Sequence, residues 1–326
     1  MNLRLAVYQL AAANRLGPDA TARLLSLAGL DDEPAGLLPR FWRTVAVLAA
    51  ALGGLGIVMW LAANWDTLGR GGRFALLQGL VAVMLLGAAW RRPLRAPLGL
   101  LALLGIGGLF AYFGQTYQTG ADPWQLFALW AVLALPLCLA VRSDVLWTPW
   151  AVVVMTGISL WTQAHTGHSW RVHPEDLPSH LVGFGASALL VLLMSTVARR
   201  WTGAGPWALR TASTLFVIAV TLTALGGLFS TPIAPHYTLG LVLLVAAAAW
   251  LSTRRGFEIF ALSAVALGLN ALMLCGLARV LFDTNKGDAI GSLLVMGLVS
   301  AGLLAASVHG ILRLSRYYVD KAEGVQ

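Results

Sequence analysis

From residue 44 onward the chain alternates long apolar runs with short polar connections. A bilayer core about 30 Å thick takes roughly 20 apolar helical residues to cross, slightly fewer when flanking side chains snorkel. Ten runs meet that requirement, at about 44–63, 73–90, 97–114, 123–141, 145–163, 181–198, 208–228, 237–252, 257–280 and 290–311. The pattern predicts an all-α, polytopic integral membrane protein with about 10 transmembrane helices.

The residues ahead of the first run follow a different period. "MNLRLAVYQLAAANRLGPDATARLLSLAGL" predicts two short helices, about 2–15 and 19–29, with Gly17 ending the first and Pro18 and Asp19 starting the second. Leu3, Val7, Leu10 and Ala11 recur at helical spacing, so one face of this hairpin is expected to pack. Arg4, Tyr8, Gln9, Asn14 and Arg15 interrupt the stretch and exclude the apolar core of a signal peptide. Three regions result: a cytoplasmic helical hairpin over 1–40, a first membrane half over 41–155 and a second over 156–326.

Composition agrees with a lipid environment. The chain is 58% hydrophobic and 11% charged with a mean hydropathy of +0.77, where a soluble domain carries about 25% charged residues. The formal charge of +8 falls in short arginine clusters between apolar runs, which is a topology signal and not a nucleic-acid stripe. Assigning alternate connections to opposite sides separates the cations into 17 and 5. Arg4, Arg15, Arg23, Arg40, Arg43, Arg91, Arg92, Arg95, Arg142, Arg199, Arg200, Arg210, Arg254, Arg255, Arg313, Arg316 and Lys321 share one side; Arg70, Arg73, Arg171, Arg279 and Lys286 share the other. Positive-inside bias then places both termini in the cytoplasm of a multi-pass protein, with the lipid bilayer as its first partner. Cys138 and Cys275 lie inside apolar runs, so no disulfide is expected.

Two connections on the cation-poor side are more polar than turns require. In "GQTYQTGADPWQ" (114–125), Asp122, Pro123 and Gln125 have the form of an N-cap, an N1 proline and a capping-box partner, and Trp124 sits at interface depth. That leaves Gln115, Tyr117 and Gln118 without a structural duty. In "LAANWDTLGRGG" (61–72), Asn64, Trp65 and Asp66 stand at the membrane boundary ahead of a glycine-rich turn. Together these polar groups and indoles make a candidate ligand surface between the first four membrane helices, weighed against interface anchoring and helix capping.

These same stretches carry a family resemblance. "AANWDTLGRGGRFALL" (62–77) and "GQTYQTGADPWQLFALWAVLALPLCLAVRS" (114–143) closely resemble bacterial predicted membrane proteins of the domain-of-unknown-function family 2157. "AANRLGPDATARLL" (12–25) resembles that family's opening cytoplasmic segment, so the likeness covers roughly residues 5–155. It implies an inner-membrane protein, often encoded beside a second membrane-associated protein with a Gly-Asp-Tyr signature, and hence a partner subunit. The family has no established activity, so the resemblance transfers no catalytic residue.

The longest cation-poor connection, "AHTGHSWRVHPEDLPSH" (164–180), holds four of the 6 histidines. His165 and His168 are spaced for one face of a helical turn, and His173 or a carboxylate would complete a zinc or copper set. Gly167 and Pro174 oppose a regular helix there, so solvated histidines are the simpler reading and no cofactor is expected. Within the membrane runs the informative polar residues are Gln78 and Asn270, the latter suited to interhelical hydrogen bonding. Pro136 is expected to kink the fourth membrane helix, and Gly107 with Ala111 to allow close packing of the third.

Three functions compete on these grounds. First is a nonenzymatic accessory or assembly subunit with a polar extracytoplasmic face. Second is a passive or partner-driven transporter of a polar or amphiphilic solute. Third is a membrane enzyme acting on lipid or glycan through Asp66, Asp122 or the histidine loop. The scarcity of ionisable groups at mid-membrane favours the first.

Overall fold

The structure is a computed structural model that describes residues 3–29, 37–63, 69–117, 120, 122–167, 171–254, 256–284 and 289–323. The chain divides into two units, Met1–Gly53 and Gly54–Gln326. The first holds α1 (Leu3–Ala13) and α2 (Pro18–Leu27). Gly17 is the N-cap of α2 in an extended conformation and Pro18 opens the helix, because proline loses no needed donor there. The two helices contact each other. Ala11 is buried and Val7 half-buried, whereas Leu10, placed on the packed face by spacing alone, is 56% exposed.

α3 (Leu37–Ala63) begins in the first unit and ends in the second. The second unit continues with α4 (Arg70–Trp90), α5 (Arg95–Tyr117), α6 (Pro123–Val141), α7 (Asp144–Ala164), α8 (Leu177–Met194), α9 (Arg199–Thr202), α10 (Pro206–Leu228), α11 (His236–Leu251), α12 (Ile259–Thr284) and α13 (Ala289–Glu323). Each of the ten expected runs falls on one helix of this series, with the four-residue α9 as the extra element. The protein is an all-α polytopic membrane protein.

Eight of the helices, α4 to α8, α10, α12 and α13, are long and apolar enough to cross a membrane among the described residues. α11 and the apolar stretch Thr44–Ile57 of α3 are shorter. The reason is geometric: the 16 residues of α11 rise about 24 Å, less than the hydrocarbon thickness. α8 stops at Met194, before the expected 198, where Ser195 turns extended and its hydroxyl donates to the Leu192 carbonyl. α6 runs through Pro136 as one helix.

α7 and α10 form the centre. α7 packs on α5, α6, α8 and α10, while α10 packs on α7, α8, α11 and α12. Half of the most apolar stretch of α10 is buried, against 6% for α13, which packs on α12. Lipid tails are as apolar as leucine, so burial alone drives no association here. Close van der Waals packing must do so, which explains the small Ala151, Ala208, Ala212 and Ala224 among the core contacts. Gly107 shows the same logic, since a Cβ there would collide with the Trp130 ring. That ring in turn donates its Nε1–H to the Leu103 carbonyl at 2.9 Å, locking α6 to α5.

Candidate functional site

Of the outer-surface residues named from sequence, Asn64, Trp65, Asp66 and Gln118 lie outside the described residues, as does His168 of the histidine loop. The remainder sit at the end of the second unit opposite the arginine clusters. Gln115 is exposed there. Tyr117, 56% exposed, joins an aromatic ladder with Phe74 of α4 and Phe113, at centroid separations of 5.9 and 4.9 Å. Beneath them Tyr112 is buried, packs on Phe74 at 4.6 Å and donates to the Arg70 carbonyl at 3.4 Å. The ladder thus fixes the start of α4 against the end of α5.

Asp122 occupies the N-cap of α6 and Pro123 its first position, but no side-chain capping hydrogen bond forms. The expected capping box is replaced by a backbone contact, Gln125 N–H donating to the Asp122 carbonyl at 3.0 Å.

Trp124 connects two stretches that the sequence keeps 40 residues apart. Its ring lies 6.4 Å from that of His165, which stacks on Trp161 at 4.2 Å. The His165 ring also meets the Trp161 carbonyl through Nδ1 at 2.8 Å, and its own carbonyl accepts from Ser179 Oγ at 3.4 Å. Trp124 and Trp161 then wall a pocket of about 310 Å³ between α6, α7 and α8, with Phe127, Ile158 and Val182 as further walls. The hollow exists because Ala128, Gly157 and Ala186 stand where larger side chains would fill it. The lining is almost wholly apolar, so it offers van der Waals contact and no acid or base.

A second imidazole pair was not legible in the sequence. His236, the first residue of α11, is 1% exposed and lies edge-on to His180 of α8 at 4.8 Å. His180 Nδ1 contacts the Asp176 carbonyl at 3.0 Å, whereas among the described residues neither ring nitrogen of His236 has a hydrogen-bond partner. The available signal was topological, since both histidines open helices that start on the same side. His173 is exposed and its backbone N–H donates to Asp176 Oδ2 at 3.4 Å. Among the described residues no group of three or more His, Cys, Asp or Glu side chains is arranged to hold a metal ion.

The two intramembrane polar residues differ. Gln78 is exposed on α4. Asn270 of α12 and Ser307 of α13 bond reciprocally, Asn270 Nδ2–H donating to Ser307 Oγ at 3.1 Å and Ser307 Oγ–H to Asn270 Oδ1 at 3.2 Å.

Residues 8–147 match the model of a family described as "Predicted membrane protein (DUF2157)", the family that the polar loops resemble. No match to the chain was found among the curated proteins or among the solved structures.

Proposed function

We propose, with that family match as the premise, that the protein is a nonenzymatic accessory or assembly component of a bacterial inner membrane. In this reading, its cation-poor, extracytoplasmic end engages a second membrane-associated protein. The observation that carries it is the exposed aromatic surface of Phe113 and Tyr117, which rests on Phe74 and the buried Tyr112 packed against it. Aromatic side chains that are already ordered lose little conformational entropy on binding, and they are enriched at interface centres. The arginine asymmetry supports the orientation.

The test is affinity purification from native membranes in mild detergent, with mass spectrometry of co-purifying proteins and small molecules. A stoichiometric protein partner is expected, lost from Tyr117→Ala and retained by Trp201→Ala at the opposite end, where Trp201 is at least as exposed. Equal recovery from both variants would move the interface elsewhere. A retained polar solute with no protein would instead favour transport.

A further inference from the structure

The pocket between α6, α7 and α8 is independent of the aromatic ladder and answers to a different chemistry. Three properties define its occupant. Its walls are apolar and its volume of about 310 Å³ is at the lower end of the roughly 300–1,000 Å³ of ligand sites. Its lining residue Val182 is 57% exposed beside the 46% exposed Leu181, on helices that are membrane-crossing by length and composition. An exposed apolar residue on such a helix is expected to face lipid. Finally, Trp124 lines the pocket with an indole N–H that is buried and has no acceptor among the described residues. A buried donor without a partner is costly, so an occupant that brings a carbonyl to it gains over one that does not.

Trp124 is the second residue of α6, at the depth where tryptophans prefer the interface and where phospholipid ester groups lie. Apolar walls below and a single donor above match the order of groups along a phospholipid: acyl chain, then ester carbonyl. We propose that this pocket holds one acyl chain of a membrane phospholipid, with Trp124 Nε1–H donating to its ester carbonyl. His165 is fixed over this end by its stack on Trp161 and lies against the Trp124 ring, so it steadies the donor without being needed as a ligand.

The experiment uses the full-length protein in nanodiscs of phosphatidylethanolamine and phosphatidylglycerol doped with a phospholipid carrying a diazirine on its acyl chain, with crosslinks mapped by mass spectrometry. Adducts on Phe127, Ile158 and Val182 are expected to exceed those on Leu294 and Leu298 of the exposed α13 face several-fold. Ala186→Phe fills the hollow from α8 and Ala128→Leu from α6. Either is expected to lower the pocket adducts to the α13 level while leaving α13 labelling unchanged.

Trp124→Phe keeps the wall and removes only the donor. It is expected to lower occupancy about threefold, the effect of losing one ordinary hydrogen bond. Elution from a sizing column identifies variants that remain folded, and the conservative Trp124→Phe keeps the test decisive if a filling variant does not. Uniform labelling of pocket and α13, or pocket labelling insensitive to the folded variants, overturns the proposal. So does displacement by free fatty acid with none by unlabelled phospholipid. Because this readout is lipid contact, it stands or falls apart from recovery of the protein partner.

Discussion

The two ends of the helical bundle in the second unit satisfy their polar groups by different means. At the arginine-rich end, one helix terminus is closed by the side chains of another. Asp144, at the start of α7, accepts from the Gly205 and Trp207 backbone N–H groups at 2.6 and 2.9 Å, supplying a carboxylate to the exposed donors that open α10. Arg142, in the left-handed conformation that ends α6, donates to the Arg200 and Trp201 carbonyls of α9. Trp147 Nε1–H donates to the Thr202 carbonyl at 2.9 Å. Gly203 ends α9 at φ 69° directly against Arg142, a place where a Cβ would be both strained and obstructed. Arg210 pairs with Glu258 at 3.1 Å, while the other oxygen of Glu258 accepts from Ala261 N–H at the start of α12.

The opposite end leaves several polar atoms over. Among the described residues Trp124 Nε1, both nitrogens of His236 and Ser292 Oγ are buried there without partners, against Thr148 Oγ1 near the arginine-rich end, although Arg279 does tie α12 to the Ser230 carbonyl at 3.1 Å. Buried polar groups are ordinarily paired, so unpaired ones mark places that structure alone does not explain. The comparison therefore teaches where to look. One end is organised for closure, and the other carries donors and aromatic surface in excess of what holding the helices together requires.

The largest expected effect lies at the closed end. Asp144→Ala removes the acceptor of two N–H groups at the start of α10, and each hydrogen bond to a charged group contributes about 1.5–3 kcal/mol. With partial access to water at this end, a loss of about 3 kcal/mol in unfolding free energy in detergent is expected, and about 1 kcal/mol for Asp144→Asn, which keeps one acceptor oxygen. A wild-type denaturation midpoint for Asp144→Ala would show that the ties are incidental and would erase the contrast.

How far the sequence anticipated these features depends on what each one rests on. Helix positions followed from apolar run length, a property of consecutive residues, so α5 over 95–117 lies where 97–114 was expected. Helix adjacency is not a local property. Trp124 and His165 were both visible as candidates, but in separate loops; nothing in their neighbourhoods says that α6 and α7 bring the rings together. Asp144 stands at the first position of α7, and nothing local to it says that it closes the start of α10. His236 was hidden for the same reason, as its partner lies 56 positions away in α8. The capping residues of α6 were legible as a pattern, yet the geometry uses the Asp122 carbonyl in place of its side chain.

A smaller effect is expected between the ends. Asn270→Ala removes the reciprocal pair of hydrogen bonds between Asn270 of α12 and Ser307 of the weakly buried α13. Interhelical hydrogen bonds in membranes are worth about 0.6 kcal/mol on average and at most about 1.7, so a cost near 1 kcal/mol is expected. Since α13 packs on α12, proteolytic release of α13 should rise more than global unfolding does. Equal changes in the two would mean that α13 is held by the rest of its interface and that this polar pair adds register and not adhesion.

The smallest effect is the sharpest test of the open end. His236→Phe replaces a buried ring whose nitrogens have no partner by an apolar ring of similar shape, and it keeps the edge-on contact with His180. Deleting a polar group that is satisfied costs stability, whereas deleting one that is buried and unsatisfied removes a desolvation penalty. The sign of the change therefore reports which state His236 occupies. A change within about 0.5 kcal/mol, or a gain, is expected from the denaturation midpoint in detergent. A loss comparable to that of Asp144→Ala would mean that the imidazole is engaged in the membrane-embedded protein. The two ends would then be closed by the same means, one through a carboxylate and the other through a group bound at His236.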